Sequence, residues 1–404
     1  MSEITLLYDR SETDEQGIRL TAEKMGIDLG FLPFHKVTIG IKKGQLIYRS
    51  KGKDLLEPLN ETKVILNRTQ AKHRRILSTA ILEAYGKHVL NPMTVEATCQ
   101  SKIRTLLEFY KRGVNIPDTI YLPCNVKEPR IGGGDQNNVP FMVNLIQSEL
   151  GEDIVIKPDE GTHGVGIFLT QDENSLKTAL HNVEPSIINP VGVIAQEYVN
   201  KWFYDLRIIV EKRCGEAPFC HSSAMARGGF QDFRTNTYLG NMVFRVNLPS
   251  QIRESAIRCG EAVGWNSESY VIALDAMPRF YEPVSEIKKR LSPSFKALGS
   301  YFDNVLKAKK MKQKAFTEYT RIVEEAYAEY MASESYIEVQ GFIDESLHKD
   351  GLVVLFHEAN ACPDFWEQTR IVGGVNIAES LLCCAQSLIS VDSQVRLCEN
   401  YKLV

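Results

Sequence analysis

Residues Lys157-Pro158-Asp159-Glu160-Gly161-Thr162-His163-Gly164-Val165-Gly166 constrain the fold of this chain more than any other stretch. Three glycines and a threonine lie between two short apolar runs, 154–157 and 167–169, so the segment reads as a loop joining two strands. Glycine reaches φ > 0 without steric penalty and lets backbone N–H groups close on an anion. The lysine before the loop and the hydroxyl within it add the charge and the donor that a phosphate needs. No Gly-Lys-Ser/Thr closes the run, so it is not a Walker A loop. Taken alone, the same residues also suit a glycine-rich hairpin that binds nothing.

Upstream, strands and helices alternate. Residues 4–8 read as an apolar strand and 12–25 as a helix with Gly17 as a weak point. Residues 64–66 are a second strand running into Asn67-Arg68, followed by a helix at 76–85 and a strand at 89–90. This predicts a small doubly wound α/β domain over residues 1–92. A long helical pattern at 94–112 opens a central unit, 93–195, that holds the glycine loop. Strands dominate from 193 into a C-terminal unit, 196–404. Within it, residues 285–331 read as two or three helices, so a helical insertion is expected at about 277–335. Residues 336–343 read as a strand in a hairpin with 352–360, and 378–390 as a last helix. The fold class is α/β (α+β).

Composition narrows the function. Lys+Arg number 47 against 51 Asp+Glu, a net charge of −4, so no basic field argues for nucleic acid. No run nears the roughly 18 apolar residues of a membrane span. The N-terminus has no apolar leader, so no signal peptide is expected. The 9 cysteines are odd in number and none sits in C-x-x-C, which reads as reduced thiols in a cytoplasmic protein.

Three further motifs carry chemistry. Gln196-Glu197-Tyr198-Val199 ends an apolar strand, where side chain and backbone can bond an adenine edge or simply meet solvent. Asp205-Leu206-Arg207 puts an acid and a base on one strand face, while Arg234 with Asn236 offers a fork and an amide for phosphate or carboxylate oxygens. Glu358 and Asn360, two apart at the end of the apolar run 352–356, leave the same face of a strand. One carboxylate and one amide oxygen suit Mg²⁺, with phosphate oxygens in its other positions.

Lys102, the 157–166 loop, Gln196-Glu197-Tyr198, Asp205-x-Arg207, Phe233-Arg234-x-Asn236 and Glu358-x-Asn360-x-x-Pro363, in that order, resemble the ATP-grasp superfamily. Within it the chain is most similar to the RimK-like carboxylate–amine ligases, which include the ribosomal-protein glutamate ligase. The resemblance runs from about Asn91 to Val375; residues 1–90 match in architecture only, as a pre-ATP-grasp domain. It implies an ATP-grasp fold and an ATP-dependent ligase forming an amide through an acyl phosphate. It also implies roles. Lys102 and Lys157 would hold the α/β-phosphates, and Glu160, Gly161, Thr162, Gly164 and Gly166 would close over them. Glu197 and Tyr198 would lie at the adenine and Asp205 near the ribose, with Gln196 and Arg207 in the same nucleotide-binding set. Arg234 and Asn236 would face the γ-phosphate and acyl phosphate. Glu358 and Asn360 would bind Mg²⁺, with Mn²⁺ as the alternative ion.

The family expects a third metal ligand on the strand beside Glu-x-Asn. Asp275, in the apolar strand 270–277, lies far upstream. Glu338 and Gln340 lie on the expected hairpin partner, and adjacency favours them. Arg68, with Lys72, Arg74 and Arg75 after it, is positioned to clamp an acidic substrate, although the three that follow read equally as a solvated helix face. The partners implied are small-molecule or peptide carboxylates and amines of acidic character; a homo-oligomer stays open by analogy. The runner-up is an ATP-grasp phosphotransferase acting on a hydroxyl or histidine, with His163 and His357 as the histidines that keep it open.

Overall fold

A computed structural model describes residues 2–34, 37–43, 45–50, 53–54, 56–123, 127–129, 135–137, 139–161, 164–183, 192–235, 237–312 and 314–401. Near the N-terminus, β1 (Ile4–Tyr8), β2 (Leu29–Pro33), β3 (Val64–Arg68) and β4 (His88–Leu90) form a parallel sheet in the order β2-β1-β3-β4. Alternation decides its two faces. Leu6 and Leu66 pack with Ile18 of helix α1 (Thr13–Met25) and with Leu382 of the last helix, while Leu7 and Ile65 pack with Leu82 of α2 (Lys72–Ala84). The far end of the chain therefore covers one face of its beginning. Asn91 fastens the two together: its amide donates to the Val271 and Ala361 carbonyls at 2.7 and 2.6 Å and accepts from Val271 N at 2.8 Å.

The long helical pattern after Asn91 is two helices, α3 (Met93–Gln100) and α4 (Lys102–Lys111). Ser101 breaks it because its extended backbone and side chain cap α4, with Oγ accepting from Arg104 N at 3.1 Å. Helix periodicity runs through the break, so apolar spacing does not reveal it.

The central sheet is antiparallel, in the order β7-β6-β8-β5, from β5 (Thr119–Leu122), β6 (Ile154–Pro158), β7 (Phe168–Thr170) and β8 (Val193–Glu197). Helices α5 (Val139–Leu150) and α6 (Glu173–Asn182) cover it through Met142, Ile146, Leu176 and Leu180. The large sheet runs β11-β10-β9-β12-β13, from β9 (Tyr204–Lys212), β10 (Ser223–Gly228), β11 (Met242–Asn247), β12 (Tyr270–Arg279) and β13 (Val353–Asn360), with Phe219–Cys220 added to β9. Helix α7 (Ser250–Val263) joins β11 to β12.

Between β12 and β13 stand three helices, α8 (Val284–Lys309), α9 (Phe316–Ala332) and α10 (Glu334–Leu347); α11 (Ile377–Tyr401) ends the chain. The expected hairpin strand 336–343 is thus a helix. Ser333 caps it by accepting from Tyr336 N, and Tyr336, Val339, Ile343 and Leu347 are its buried stripe at helical spacing. These helices protect the open edge of β11. Tyr336 Oη accepts from Arg245 N at 2.8 Å, Asp344 Oδ1 from Asn247 N at 3.0 Å, and Tyr330 Oη donates to the Val243 carbonyl at 3.1 Å. Every other residue of the edge strand is met by a side chain in place of another strand.

Gly17 is more than a weak point in α1. A Cβ there would sit 2.1 Å from the Trp366 ring, so the indole lies against the helix backbone. Gly17→Ala is expected to destabilise by about 1–3 kcal/mol through overpacking, although alanine is the better helix former by about 1 kcal/mol. A lower urea midpoint at unchanged slope is the readout; an increase would show that Trp366 moves freely. Among the described residues, no helix is long and apolar enough to cross a membrane.

Candidate active site

The large sheet is apolar on one face, where Leu206, Ile208, Leu274 and Phe356 join the main core. Its other face carries charge. Strand alternation puts Asp205 and Arg207 of β9, Arg227 of β10, Asp275 of β12, and Glu358 and Asn360 of β13 on that side, and all six line one cavity of about 690 Å³. That size suits a nucleotide together with a second substrate.

Asp275 stands opposite Glu358 in register, and the next pair is Ala276 with Phe356, so His357 is an extra residue bulged from the ladder. Arg207 clamps Asp275 along one edge, Nε to Oδ1 at 3.0 Å and Nη2 to Oδ2 at 2.9 Å. Arg227 bridges the acids: its Nη2 is 3.2 Å from Asp275 Oδ1 and its Nε donates to Asp205 Oδ1 at 2.8 Å. Burial alone would push the Asp275 carboxyl up; Arg207 and Arg227 outweigh it and hold the group well below the usual carboxylate range. Burial likewise opposes ionisation of Glu358, and the charge on Lys102 overcomes it. The Asn360 amide nitrogen is 3.5 Å from Asp275 Oδ2. Two ionised carboxylates and an amide oxygen fit a hard divalent cation.

This corrects the choice of third ligand. Glu338 and Gln340 lie on α10 and neither lines the cavity; Glu338 instead accepts from Ser294 Oγ at 2.6 Å. The strand beside Glu-x-Asn is β12, so Asp275 is the acid next to Glu358. The expected strand 336–343 instead carries a 3.6-residue period, which turns Glu338 and Gln340 away from β13.

Two lysines enter from the central sheet side. Lys102 is the first residue of α4, and its Nζ donates to the Asp159 carbonyl at 3.1 Å. Lys157 ends β6, and its Nζ donates to Gln196 Oε1 at 2.8 Å. Burial lowers the pKa of Lys102; burial and then the neighbouring Lys102 bring Lys157 down to about 7. Two buried cations side by side are electrostatically incomplete until an anion joins them. Asp159 fixes the spacing, with Oδ2 accepting from Ser101 Oγ at 2.7 Å and Oδ1 from Ile103 N at 2.8 Å.

The glycine loop follows. Gly164 and Gly166 have φ of +73° and +74°, and a Cβ on Gly166 would meet the Pro158 ring at 3.3 Å. Gly161 lines the cavity; Thr162, His163 and Asn236 lie outside the described residues. Glu160 turns toward the N-terminal side, accepting from Gln100 Nε2 at 3.1 Å with His73 Nε2 at 3.0 Å. Arg234 reaches the loop, its Nη1 donating to the Gly164 carbonyl at 3.3 Å.

At the opposite end, Tyr198 and Val199 line the cavity after β8. The Glu197 carboxylate accepts from Asp118 N at 2.9 Å and from Arg279. Both Asp205 oxygens are engaged, by Arg227 and by Thr235, and Thr235 also accepts from Lys201 Nζ at 2.7 Å. Arg68 is not a substrate clamp. Its side chain is 4% exposed and donates to Asp14 Oδ2 at 3.0 Å and to the Pro363 carbonyl at 3.2 Å, pinning the first sheet to the end of β13. Arg75 is buried against Glu96 at 2.7 Å, and Arg74 pairs with Asp9 at 3.4 Å. Lys72 faces the cavity, as does exposed Lys312 after α8; neither forms an ion pair with a described residue. Lys201, Arg227 and Lys312 had no sequence signal, because each reaches the site through strand pairing or a distant helix.

A family model for the RimK-like ATP-grasp domain matches residues 126–277. The chain carries a RimK-like ATP-grasp domain. It is 23% identical over 260 residues to the α-aminoadipate–LysW ligase LysX of Sulfurisphaera tokodaii, covering 64% of this chain and 80% of that one. It is 27% identical to a probable α-L-glutamate ligase of Shewanella amazonensis, over 45% of this chain and 54% of the relative. Among solved structures, the D-alanyl-alanine synthetase A of Vibrio cholerae superposes with a TM-score of 0.55 at 12% identity, over 96% of this chain and 99% of the other. The ATP-grasp ligase PsnB, solved with a phosphomimetic precursor variant, Mg and ADP, gives 0.52 at 11% identity, over 96% and 98%. The RimK-like ATP-grasp match and the relatives named as ligases make this chain an ATP-dependent ligase of the carbon–nitrogen type. The family match ends at Met277, just before helices α8–α10 separate the Asp275 strand from the Glu358 strand along the chain.

Proposed function

We propose that this ligase activates an acidic amino acid or peptide carboxylate with ATP and joins it to an amine. The observation that carries this reading is the convergence of Lys102, Lys157 and Arg234 with the Asp275–Glu358 pair on one cavity. In this reading the division is 1–92, 93–195 and 196–404, with the nucleotide held between the last two.

The β-phosphate side of ATP meets Lys102 and Lys157, and the γ-phosphate meets Arg234, the residue to which the resemblance adds Asn236. Tyr198, Val199 and the backbone after β8 take the adenine. Asp275, Glu358 and Asn360 would hold Mg²⁺, or Mn²⁺ in its place; bound there, the ion neutralises phosphate charge. The substrate carboxylate oxygen attacks the γ-phosphorus in line, the bond to the β–γ bridging oxygen breaks, and ADP leaves. The product is an acyl phosphate. The amine nitrogen then attacks the acyl carbon; the C–N bond forms, the C–O bond to phosphate breaks, and the departing phosphate takes up the amine proton. Arg234 stabilises charge in both steps. The glycine loop excludes the water that would hydrolyse the acyl phosphate.

Acidic substrates are supported by Lys72 from α2 and Lys312 after α8, which face the cavity and form no direct ion pair with a described residue. Two of the matched relatives are named for α-aminoadipate and L-glutamate, both acidic amino acids. The test is ADP release with ATP and Mg²⁺ against a panel of glutamate, α-aminoadipate, glutamine and acidic peptides, with mass spectrometry of each mixture. Acceptor-dependent ADP with the mass gain of one condensation is expected. A gain of one phosphate instead would establish the phosphotransferase. Lys312→Ala with Lys72→Ala is expected to raise KM for the acidic substrate about tenfold or more and leave KM for ATP within about twofold. Equal effects on both constants would remove these lysines from substrate recognition.

A further inference from the structure

An arginine side chain carries five N–H donors in a rigid plane. Three of those on Arg234 are committed. Nε donates to Asp232 Oδ1 at 3.0 Å, Nη2 to Asp232 Oδ2 at 2.6 Å, and Nη1 to the Gly164 carbonyl at 3.3 Å. One N–H on each terminal nitrogen is left for a ligand. Arg234 lines the cavity and Asp232 does not, so the acid stands behind the base. Asp232 is itself held, because its Oδ1 also accepts from Arg234 N at 2.8 Å. The Arg234 carbonyl accepts from Asn241 Nδ2 at 2.9 Å, which fixes the backbone on the other side.

We propose that Asp232 is a positioning residue for the ligase reaction: it grips one edge of the Arg234 guanidinium so that the remaining donors meet the γ-phosphate. The same guanidinium holds the Gly164 carbonyl, so the glycine loop and the phosphate are read by one side chain. An unsupported arginine would sample many rotamers and would have to be ordered when the phosphoryl group arrives. The bidentate pair removes that ordering step. It also damps the arginine's charge, leaving directed hydrogen bonds that favour an oxygen at one place over a diffuse anion. This inference rests on the assignment of Arg234 to the transferring phosphoryl group.

The experiment uses the full chain with Asp232→Asn, Asp232→Glu, Arg234→Lys, and Asp232→Asn combined with Arg234→Lys. Calorimetry gives the Kd for ADP and for the β,γ-imido analogue of ATP, each with Mg²⁺, beside steady-state kcat. Asp232→Asn is expected to weaken imido-ATP about tenfold and leave ADP within about twofold, with kcat down about 10- to 100-fold. Asp232→Glu should recover part of the loss. In the Arg234→Lys background the same Asp232 change should add less than about twofold, because lysine has no second edge to grip. A merely structural acid would cost the same in both backgrounds and would weaken ADP as well, and either result overturns the proposal. Tighter imido-ATP binding in Asp232→Asn also overturns it, by making the acid a competitor of the phosphate. If Arg234→Lys leaves the ratio of imido-ATP to ADP affinity unchanged, the assignment of Arg234 itself fails. If that ratio falls while Asp232→Asn changes nothing, only the role of Asp232 fails.

Discussion

Glu358→Ala is expected to lower kcat by about 10³-fold or more while the protein melts normally. Among the described residues, Glu358 is the acid of the charged face that forms no direct ion pair, whereas Asp275 is bound by Arg207 and Arg227. Removing Glu358 takes away a ligand oxygen and breaks no direct ion pair, although Lys102 loses a nearby counter-charge; Asp275→Asn would disturb two directly paired arginines and confuse stability with catalysis. Higher Mg²⁺ should restore part of the lost rate, since a weakened ion site shows first as a larger requirement for the ion. Glu338→Ala is the decisive comparison. It lies on α10, outside the cavity, and should leave kcat within about twofold. The opposite pattern, with Glu338 essential and Glu358 dispensable, would place the metal on the wrong strand.

Lys157→Met is expected to lower kcat/KM for ATP by about 10²-fold and to raise the melting temperature. The two signs have one cause. Lys157 is 4% exposed, and burial followed by the neighbouring Lys102 pulls its pKa down to about 7 from the usual lysine value. A charged lysine in that place is unfavourable until phosphate arrives, so an apolar chain of similar length relieves the free protein and disables the bound one. The pH dependence follows with a definite sign. Below about pH 7 Lys157 is protonated both folded and unfolded, and the folded state bears the full penalty. Above about pH 7 the folded state gives up the proton that the unfolded chain keeps, so stability without ligand rises with pH toward the unfolded lysine pKa. Phosphate favours the protonated form, so ATP binding above pH 7 must take up a proton. Apparent affinity should fall by up to about tenfold per pH unit there, and calorimetry in buffers of different ionisation enthalpy should count the proton. Lys157→Met should flatten both curves. An affinity flat from pH 6.5 to 9 in the parent protein would show that Lys157 stays charged without phosphate.

Much of this was local enough to read from the residues. Leu6 and Leu7, or Leu66 and Ile65, alternate across a buried strand, and such runs identify themselves. The positive-φ positions at Gly164 and Gly166 follow from a glycine run between strands. The order of Lys102, the loop, Arg234 and Glu358 likewise requires no coordinates to be read, because each motif is a few residues with its own chemistry.

Tertiary structure decided what depends on distant partners. Residues 336–343 read as a strand that shows Glu338 and Gln340 on one face, while Tyr336, Val339 and Ile343 lie at helical spacing. The edge of β11 settles it, because Arg245 N and Asn247 N need the Tyr336 hydroxyl and the Asp344 carboxylate, which only a helix presents there. With that segment helical, β13 pairs with β12 and brings Asp275 to Glu358 across three intervening helices. Arg68 reads locally as a strand-end clamp for an acidic substrate, and nothing local shows its real partners, Asp14 and Pro363, 54 and 295 residues away. Local sequence determines which segments are strands and which residues carry charge or phosphate-binding chemistry. Which acid meets which cation is set by strand order and edge protection, which are long-range and leave no mark on the spacing of the residues themselves.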